Sequence, residues 1–253
     1  MSASYQTLSA GLSELGLKAM HDGLDGIIDE VNAGRMSFTD GLNELVSREL
    51  ARSRKKRTET IIASAHFPNS RTFEQFDFSF QPELRKDEVL DLRDLRFMDD
   101  GSNVMFIGLP GVGKTHLAIA TGMAAAEKGK TVYFITCHDL LENLRKSRME
   151  NRLEYRMRHY ASYSLLIIDE VGYLPVDRED ANMLFQLVAK RYERKSTVVT
   201  TNISLSKWGE MFGDAMVANA ILDRLLHHSK VFTIKGRSYR TKDYTEKEQG
   251  AKQ

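Results

Sequence analysis

Gly108-Leu-Pro-Gly-Val-Gly-Lys-Thr115 decides how the rest of this chain is read. It fits G-x-x-x-x-G-K-[ST] at every fixed position, a pattern that wraps backbone around phosphate groups. The context agrees. The short apolar run Val104–Ile107 precedes the loop, and Leu117, Ala118, Ala120, Met123 and Ala124 form an amphipathic stretch after it. Gly111 and Gly113 can let the backbone bend with its N–H groups pointing inward, while the following helix N-terminus adds a favourable dipole. Lys114 supplies a point charge for β- and γ-phosphates, and Thr115 a hydroxyl for Mg²⁺. The expected cofactor-binding set is Gly108, Leu109, Pro110, Gly111, Val112, Gly113, Lys114, Thr115 and His116.

Beyond the loop, strands and helices alternate. Thr131–Thr136 reads as a strand and Leu140–Tyr160 as one long helix. Leu165–Ile168 reads as a third strand, Ala181–Arg194 as a helix and Thr197–Thr201 as a fourth strand. A helix over Ala215–His228 and a fifth strand over Val231–Ile234 complete the pattern. Apolar strands alternating with helices imply a parallel sheet covered on both faces. The fold class is therefore α/β, a P-loop NTPase core with a five-stranded parallel sheet flanked by helices. Leu165-Leu-Ile-Ile-Asp-Glu170 sets two acids at the C-terminal end of a buried strand, the edge where ligands of such sheets gather. Asp169 is expected to hold Mg²⁺ through water or Thr115, and Glu170 to polarise a water for in-line attack. Asn202, ending Val198-Val-Thr-Thr-Asn202, reads either as a polar group beside the γ-phosphate or as an Asn opening a turn. No N-K-x-D stretch is present to read guanine, so the expected cofactors are ATP and Mg²⁺.

Before Pro68 the pattern is helical only, and it predicts a small all-α domain over roughly 1–66. Leu17, Met20, Leu24, Ile27, Ile28 and Val31 line one helix face, with Gly34 as its stop. Ser37 and Asp40 resemble a capping box opening a second helix that carries Leu42, Leu45, Val46 and Leu50. The basic run Arg52, Arg54, Lys55, Lys56 and Arg57 follows, as a nucleic-acid contact or a solvated helix end. Residues 67–240 form the ATPase domain, and 241–253 a polar tail. Phe73, Phe76, Phe78 and Phe80, between Pro68 and Pro82, read as a hydrophobic clasp on that domain. A formal net charge of +1 carries no global nucleic-acid signal, so any such signal must be local. Cys137 is the sole cysteine, which excludes an internal disulfide and a cysteine-based zinc site. The start has no basic stretch followed by an apolar run, and no segment approaches the ~20 apolar residues that span a bilayer. A soluble, cytoplasmic protein with no membrane partner is expected.

Gly108–Thr115 followed by His116-Leu-Ala118, Leu165–Glu170, Thr200-Thr-Asn202 and Ile221-Leu-Asp-Arg-Leu-Leu-His-His-Ser229 together resemble the AAA+ ATPases. Within them, the likeness is to the IstB/DnaC group of helper and loader ATPases. Arg71-Thr-Phe-Glu-Gln-Phe-Asp-Phe78 is similar to the segment leading into the ATPase core of that group. The resemblance covers most of 71–240, and the helical N-terminus looks more like IstB than DnaC. It implies an ATP-dependent helper of an insertion-sequence transposase, an ATPase that assembles with itself on DNA. It also makes Asn202 a γ-phosphate sensor. From its place on a helix alone, Arg224 reads as a surface arginine paired with an acid. The resemblance makes it an arginine finger reaching a neighbouring subunit's ATP, worth roughly 10³–10⁵ in rate. Residues 235–253 are too few for the helical lid many AAA+ proteins carry, a departure shared with this group. Arg237 and Arg240 are candidates for a second sensor.

Asn143–Tyr160 carries Arg145, Lys146, Arg148, Arg152, Arg156 and Arg158 against Glu150 and Glu154. On one continuous helix, Arg145, Arg148, Arg152 and Arg156 would form a stripe able to track DNA phosphates with little base reading. The same run also reads as a solvated face with internal ion pairs. A replicative helicase loader of the DnaC type is the nearest alternative function, with the same chemistry and a different partner for residues 1–66. A motor helicase is disfavoured by the single short core, and a small-molecule kinase by the Asp169-Glu170 pair.

Overall fold

The computed structural model describes residues 3–241, so the expected tail, apart from its first residue, lies outside the described residues. The chain divides into two compact units, Met1–Thr60 and Ile61–Gln253. The first holds α1 (Ala3–Glu14), α2 (Lys18–Asn32) and most of α3 (Phe38–Ser64). Its small core joins Leu12, Leu24, Ile27 and Leu45, with Leu17, Met20, Ile28 and Val31 packed against it. These are the α2 positions that recur at helical spacing. Ser37 caps the start of α3, its Oγ accepting from the Asp40 N–H at 3.1 Å, but the Asp40 carboxylate takes the Ser37 hydroxyl at 2.7 Å, so only the N-cap half of the expected capping box is made. Of Leu42, Leu45, Val46 and Leu50 on α3, however, only Leu45 is buried; the other three are exposed.

In the second unit, α4 (Lys86–Leu90) and short 3₁₀ turns lead to the sheet. Then follow β1 (Asn103–Gly108), α5 (Lys114–Glu127), β2 (Val132–Thr136), α6 (Cys137–Met149), α7 (Leu153–Ser162) and β3 (Leu165–Val171). The chain continues through α8 (Arg178–Arg191), β4 (Ser196–Thr201), α9 (Trp208–Met211), α10 (Ala215–Leu226) and β5 (Ser229–Ile234). The strands are parallel in the order β2-β3-β4-β1-β5. Side chains on successive strand residues face opposite ways. Accordingly Val104, Phe106, Leu165, Ile167 and Val198 join one core with α5 and the Phe73–Phe97 segment. Met105, Leu166, Ile168 and Val199 join a second core with α6, α7, α8 and α10. The clasp reading holds for Phe73 and Phe76, which are buried, and for Phe78, which packs against them.

One expected element is corrected. The single helix over Leu140–Tyr160 is two, broken at Glu150–Arg152. Asn151 takes φ +55°, a left-handed conformation that asparagine tolerates better than most residues. Its N–H bonds Arg148 O at 3.1 Å, and the Arg152 N–H bonds Ser147 O at 2.7 Å. This pair of bonds closes the end of α6 as a Schellman motif. The chain then restarts as α7, so the four arginines do not share one helix.

A buried cation ties α7 to the sheet. Arg191, 1% exposed, donates to Thr197 Oγ1 at 3.0 Å and to the carbonyls of Tyr160, Ala161 and Tyr163 at 2.9–3.2 Å, and also to that of Ser196. Burial opposes its charge. The carbonyl ends at the α7 C-terminus favour it.

Candidate nucleotide and magnesium site

β1 delivers the loop and α5 begins at Lys114, so the loop's direction is set by a strand on one side and a helix N-terminus on the other. Gly111 and Gly113 have φ of +82° and +101°, conformations open to glycine and strained for side-chain-bearing residues. A Cβ at Gly113 would lie 2.5 Å from the ring of Phe76. The Lys114 ammonium donates to Gly108 O at 2.7 Å and Leu109 O at 2.9 Å, which holds it across the loop. Burial pushes this ammonium down from its ordinary value, and the Asp169 carboxylate beside it opposes the shift.

β4 lies between β1 and β3, so its end separates the phosphate loop from the acidic pair. Thr115 Oγ1 donates to the Asp169 carboxylate at 3.0–3.1 Å. Asp169 is buried, and burial pushes its carboxyl up against the pull of the Thr200 and Thr115 hydroxyls and Lys114. A hydroxyl, a carboxylate and room beside them are the hard oxygen set that Mg²⁺ takes, so the residues fit that ion. Glu170 is exposed to the cavity over the loop and sits at φ +61°. For a non-glycine residue this conformation costs about 1–3 kcal/mol and is held only where the surroundings impose it. The register between β3 and β4 shows why. Ile168 pairs with Val199 and Val171 with Thr201, so Asp169 and Glu170 together face Thr200 alone. Such a bulge re-aims side chains. It leaves Asp169 on the Thr115 hydroxyl and Glu170, its neighbour, on the cavity.

A cavity of about 580 Å³ lies over the loop, within the ordinary range for a small-molecule site. Pro110 to His116, Glu170, Thr200 and Asn202 line it. The Asn202 side-chain oxygen is buried and has no hydrogen-bond partner among the described residues. Gly108 and Leu109 serve through their carbonyls on Lys114. His116 donates Nε2–H to Thr72 O at 2.8 Å and lies edge-on to Phe76, which ties the clasp to α5. Burial pushes its imidazole down.

Several lining residues carried no sequence signal of a place in this cavity: Arg71, Phe80, Gln81, Tyr173, Thr200 and Tyr239. They come from four separate stretches, and only the strand order and the return of the chain after β5 bring them together. That return is tight, with the Tyr239 N–H on Gly111 O at 2.9 Å and Gln81 Nε2 on Arg237 O at 3.2 Å. Of the two second-sensor candidates, Arg240 lines the cavity.

The structure does not bring Arg224 to its own chain's cavity. Its guanidinium lies over the Phe185 ring at 4.6 Å and donates to Ala220 O at 3.1 Å. Among the basic residues, Arg145 holds the buried Asp180 through Nε at 2.9–3.0 Å, and Arg148 reaches Glu179 at 2.5 Å. Arg158 lies 3.8 Å from Glu154, and Arg156 is half-buried beside Tyr160. Lys146 and Arg152 are exposed.

Residues 10–247 match the family model described as IstB-like ATP binding protein. A relative from Bacillus thuringiensis subsp. berliner, named for ATP binding in insertion sequence IS232, is 47% identical over 248 residues, 98% of this chain and 99% of the relative. Among solved structures, the DnaC helicase loader superposes with a TM-score of 0.51 at 25% identity, covering 59% of this chain and 88% of that one. AMPPCP-bound DnaA from Aquifex aeolicus shares the fold, with a TM-score of 0.54 at 22% identity over 70% of this chain and 54% of that one. No helix among the described residues is long and apolar enough to cross a membrane. With its phosphate loop, its acidic strand end and its sheet order in agreement, the chain belongs to the family of IstB-like ATP-binding proteins.

Proposed function

We propose that this chain is a cytoplasmic, ATP-hydrolysing DNA-binding helper of an insertion-sequence transposase, which assembles on DNA with ATP and switches by hydrolysis. The observation that carries the hydrolytic part is the bulge that turns Glu170 into the cavity beside Lys114 and Thr115 while Asp169, buried behind it, holds the Thr115 hydroxyl. Bound Mg²⁺ neutralises charge on the phosphates and orients them. Thr115 and Asp169 hold that ion, Lys114 offsets phosphate charge, and Glu170 polarises the attacking water. Asn202, with its unpartnered oxygen, reads the terminal phosphate or its water. Arg224, away from its own cavity, acts as a finger in the site of a neighbouring copy, which makes the working form a homo-oligomer.

The relative's insertion-sequence name supports the transposase partner. Residues 1–66 are proposed as the partner-binding domain, 67–240 as the ATPase domain. The exposed Leu42, Val46 and Leu50 on α3 support the first assignment. DNA contact is assigned to α6 and α7, with Lys146, Arg152, Arg156 and Arg158 carrying it and Arg145 and Arg148 contributing where their pairs with α8 permit. The likeness to the DnaC helicase loader favours a second reading, in which residues 1–66 meet a replicative helicase.

Steady-state hydrolysis and sedimentation with and without duplex DNA test the proposal. Wild type is expected to hydrolyse ATP faster with DNA. Glu170→Gln is expected to keep ATP, lose roughly 100-fold or more in turnover and remain assembled. Normal turnover in Glu170→Gln removes Glu170 from the mechanism, and a transposase that fails to bind where a replicative helicase does selects the second reading.

A further inference from the structure

We infer that Thr200 is a positioning residue that sets the magnesium carboxylate and the water-polarising carboxylate with one hydroxyl. This rests on the hydrolytic reading above. The bulge leaves the Glu170 N–H without the backbone carbonyl a regular parallel ladder would offer. That N–H donates instead to Thr200 Oγ1 at 2.9 Å. The same oxygen donates its only hydrogen to Asp169 Oδ1 at 2.5 Å. Thr200 is fully buried, so water does not compete for either bond. A hydroxyl is the smallest group able to donate and accept at one atom, and serine shares that capacity.

Two consequences follow. The left-handed backbone of Glu170 is pinned by a side chain of the neighbouring strand, and the side chain's direction into the cavity follows from that pin. The Asp169 carboxylate is fixed through Oδ1 by Thr200, while Thr115 reaches both of its oxygens. Thr200 works through the two acids, and through β4 it joins them to Asn202, two residues on.

The experiment uses the full chain and a fluorescent ATP analogue. Affinity is measured with and without Mg²⁺, Mg²⁺ is titrated at fixed nucleotide, and steady-state hydrolysis is read separately. Thr200→Val keeps the shape and deletes the hydroxyl. It is expected to bind nucleotide without Mg²⁺ like wild type, to need about 10-fold more Mg²⁺ for half-saturation, and to lose about 10- to 100-fold in kcat with little change in KM. Thr200→Ser is expected to restore both. If Thr200→Val does not fold, Thr200→Cys, with a weak donor in nearly the same volume, is measured in its place. Wild-type Mg²⁺ dependence in the hydroxyl-less variant, or a serine variant as impaired as valine, overturns the inference. If wild type itself does not hydrolyse ATP, the hydrolytic reading fails, while the Mg²⁺ titration still decides whether Thr200 sets the Asp169 carboxylate.

Discussion

At the ends of β3 and β4, Thr115, Asp169, Thr200 and the Glu170 amide hold one another at 2.5–3.1 Å. Along α6, by contrast, the cations reach outward to acids on α8, Arg145 to Asp180 and Arg148 to Glu179, while on α7 Arg158 lies near Glu154 of its own helix. The first region is positioned by backbone, through a glycine loop, a helix N-terminus and a strand bulge. The second is positioned by side chains whose partners come from a distant part of the chain. A pattern enforced by backbone keeps its meaning wherever the rest of the fold goes. A pattern of charges does not, because any acid that folds alongside can claim a cation. On the proposed function the basic helix pair has two jobs, holding α8 and offering charge to DNA, with its residues divided between them.

That division can be broken or sharpened by substitution, beginning with the largest effect. Arg191→Met should cost about 3 kcal/mol or more, because it strips a buried guanidinium from four carbonyls and a hydroxyl. Calorimetry should show Tm lowered by roughly 6–12 °C. A shift under a degree would mean that α7 is held to the sheet by apolar packing alone. Arg145→Ala comes next, at about 1–2 kcal/mol, since it leaves the buried Asp180 without its cation while Arg145 itself is 42% exposed. Duplex-DNA affinity in that variant should follow its fold stability rather than the count of cations. Lys146→Ala is the reverse case and the smallest effect. Chemical unfolding should find its stability unchanged, while the slope of log affinity against log salt should fall by about 1. If Arg145 and Lys146 behave alike in both measurements, the two jobs are not divided as proposed.

The same contrast explains what was legible beforehand. Five strands, their parallel arrangement and the loop were readable because Val104–Ile107 and Leu165–Ile168 are apolar on both faces and the loop's glycines sit at fixed spacing. The acidic pair was readable for the same reason. How Glu170 reaches the cavity while Asp169 holds Thr115 was not, because the bulge arises from the pairing of β3 with β4 and strand order is not written in either strand. Thr200 stands out in the sequence only as one residue of a β-branched run, because its partners are 30 and 31 residues away. The break at Asn151 was missed for a simpler reason. The basic positions Arg145, Arg148, Arg152 and Arg156 keep three- and four-residue spacing across it, and a single left-handed asparagine interrupts them without disturbing that count.

The most direct test is equilibrium binding of ATP with Mg²⁺ to the full chain and to Lys114→Ala, with circular dichroism to verify that both are folded. Saturable binding by wild type, weakened about 100-fold or more by loss of the ammonium, is the expected result. A wild-type chain that does not bind the nucleotide, or a Lys114→Ala chain that binds it equally well, contradicts the assignment of this cavity to a triphosphate.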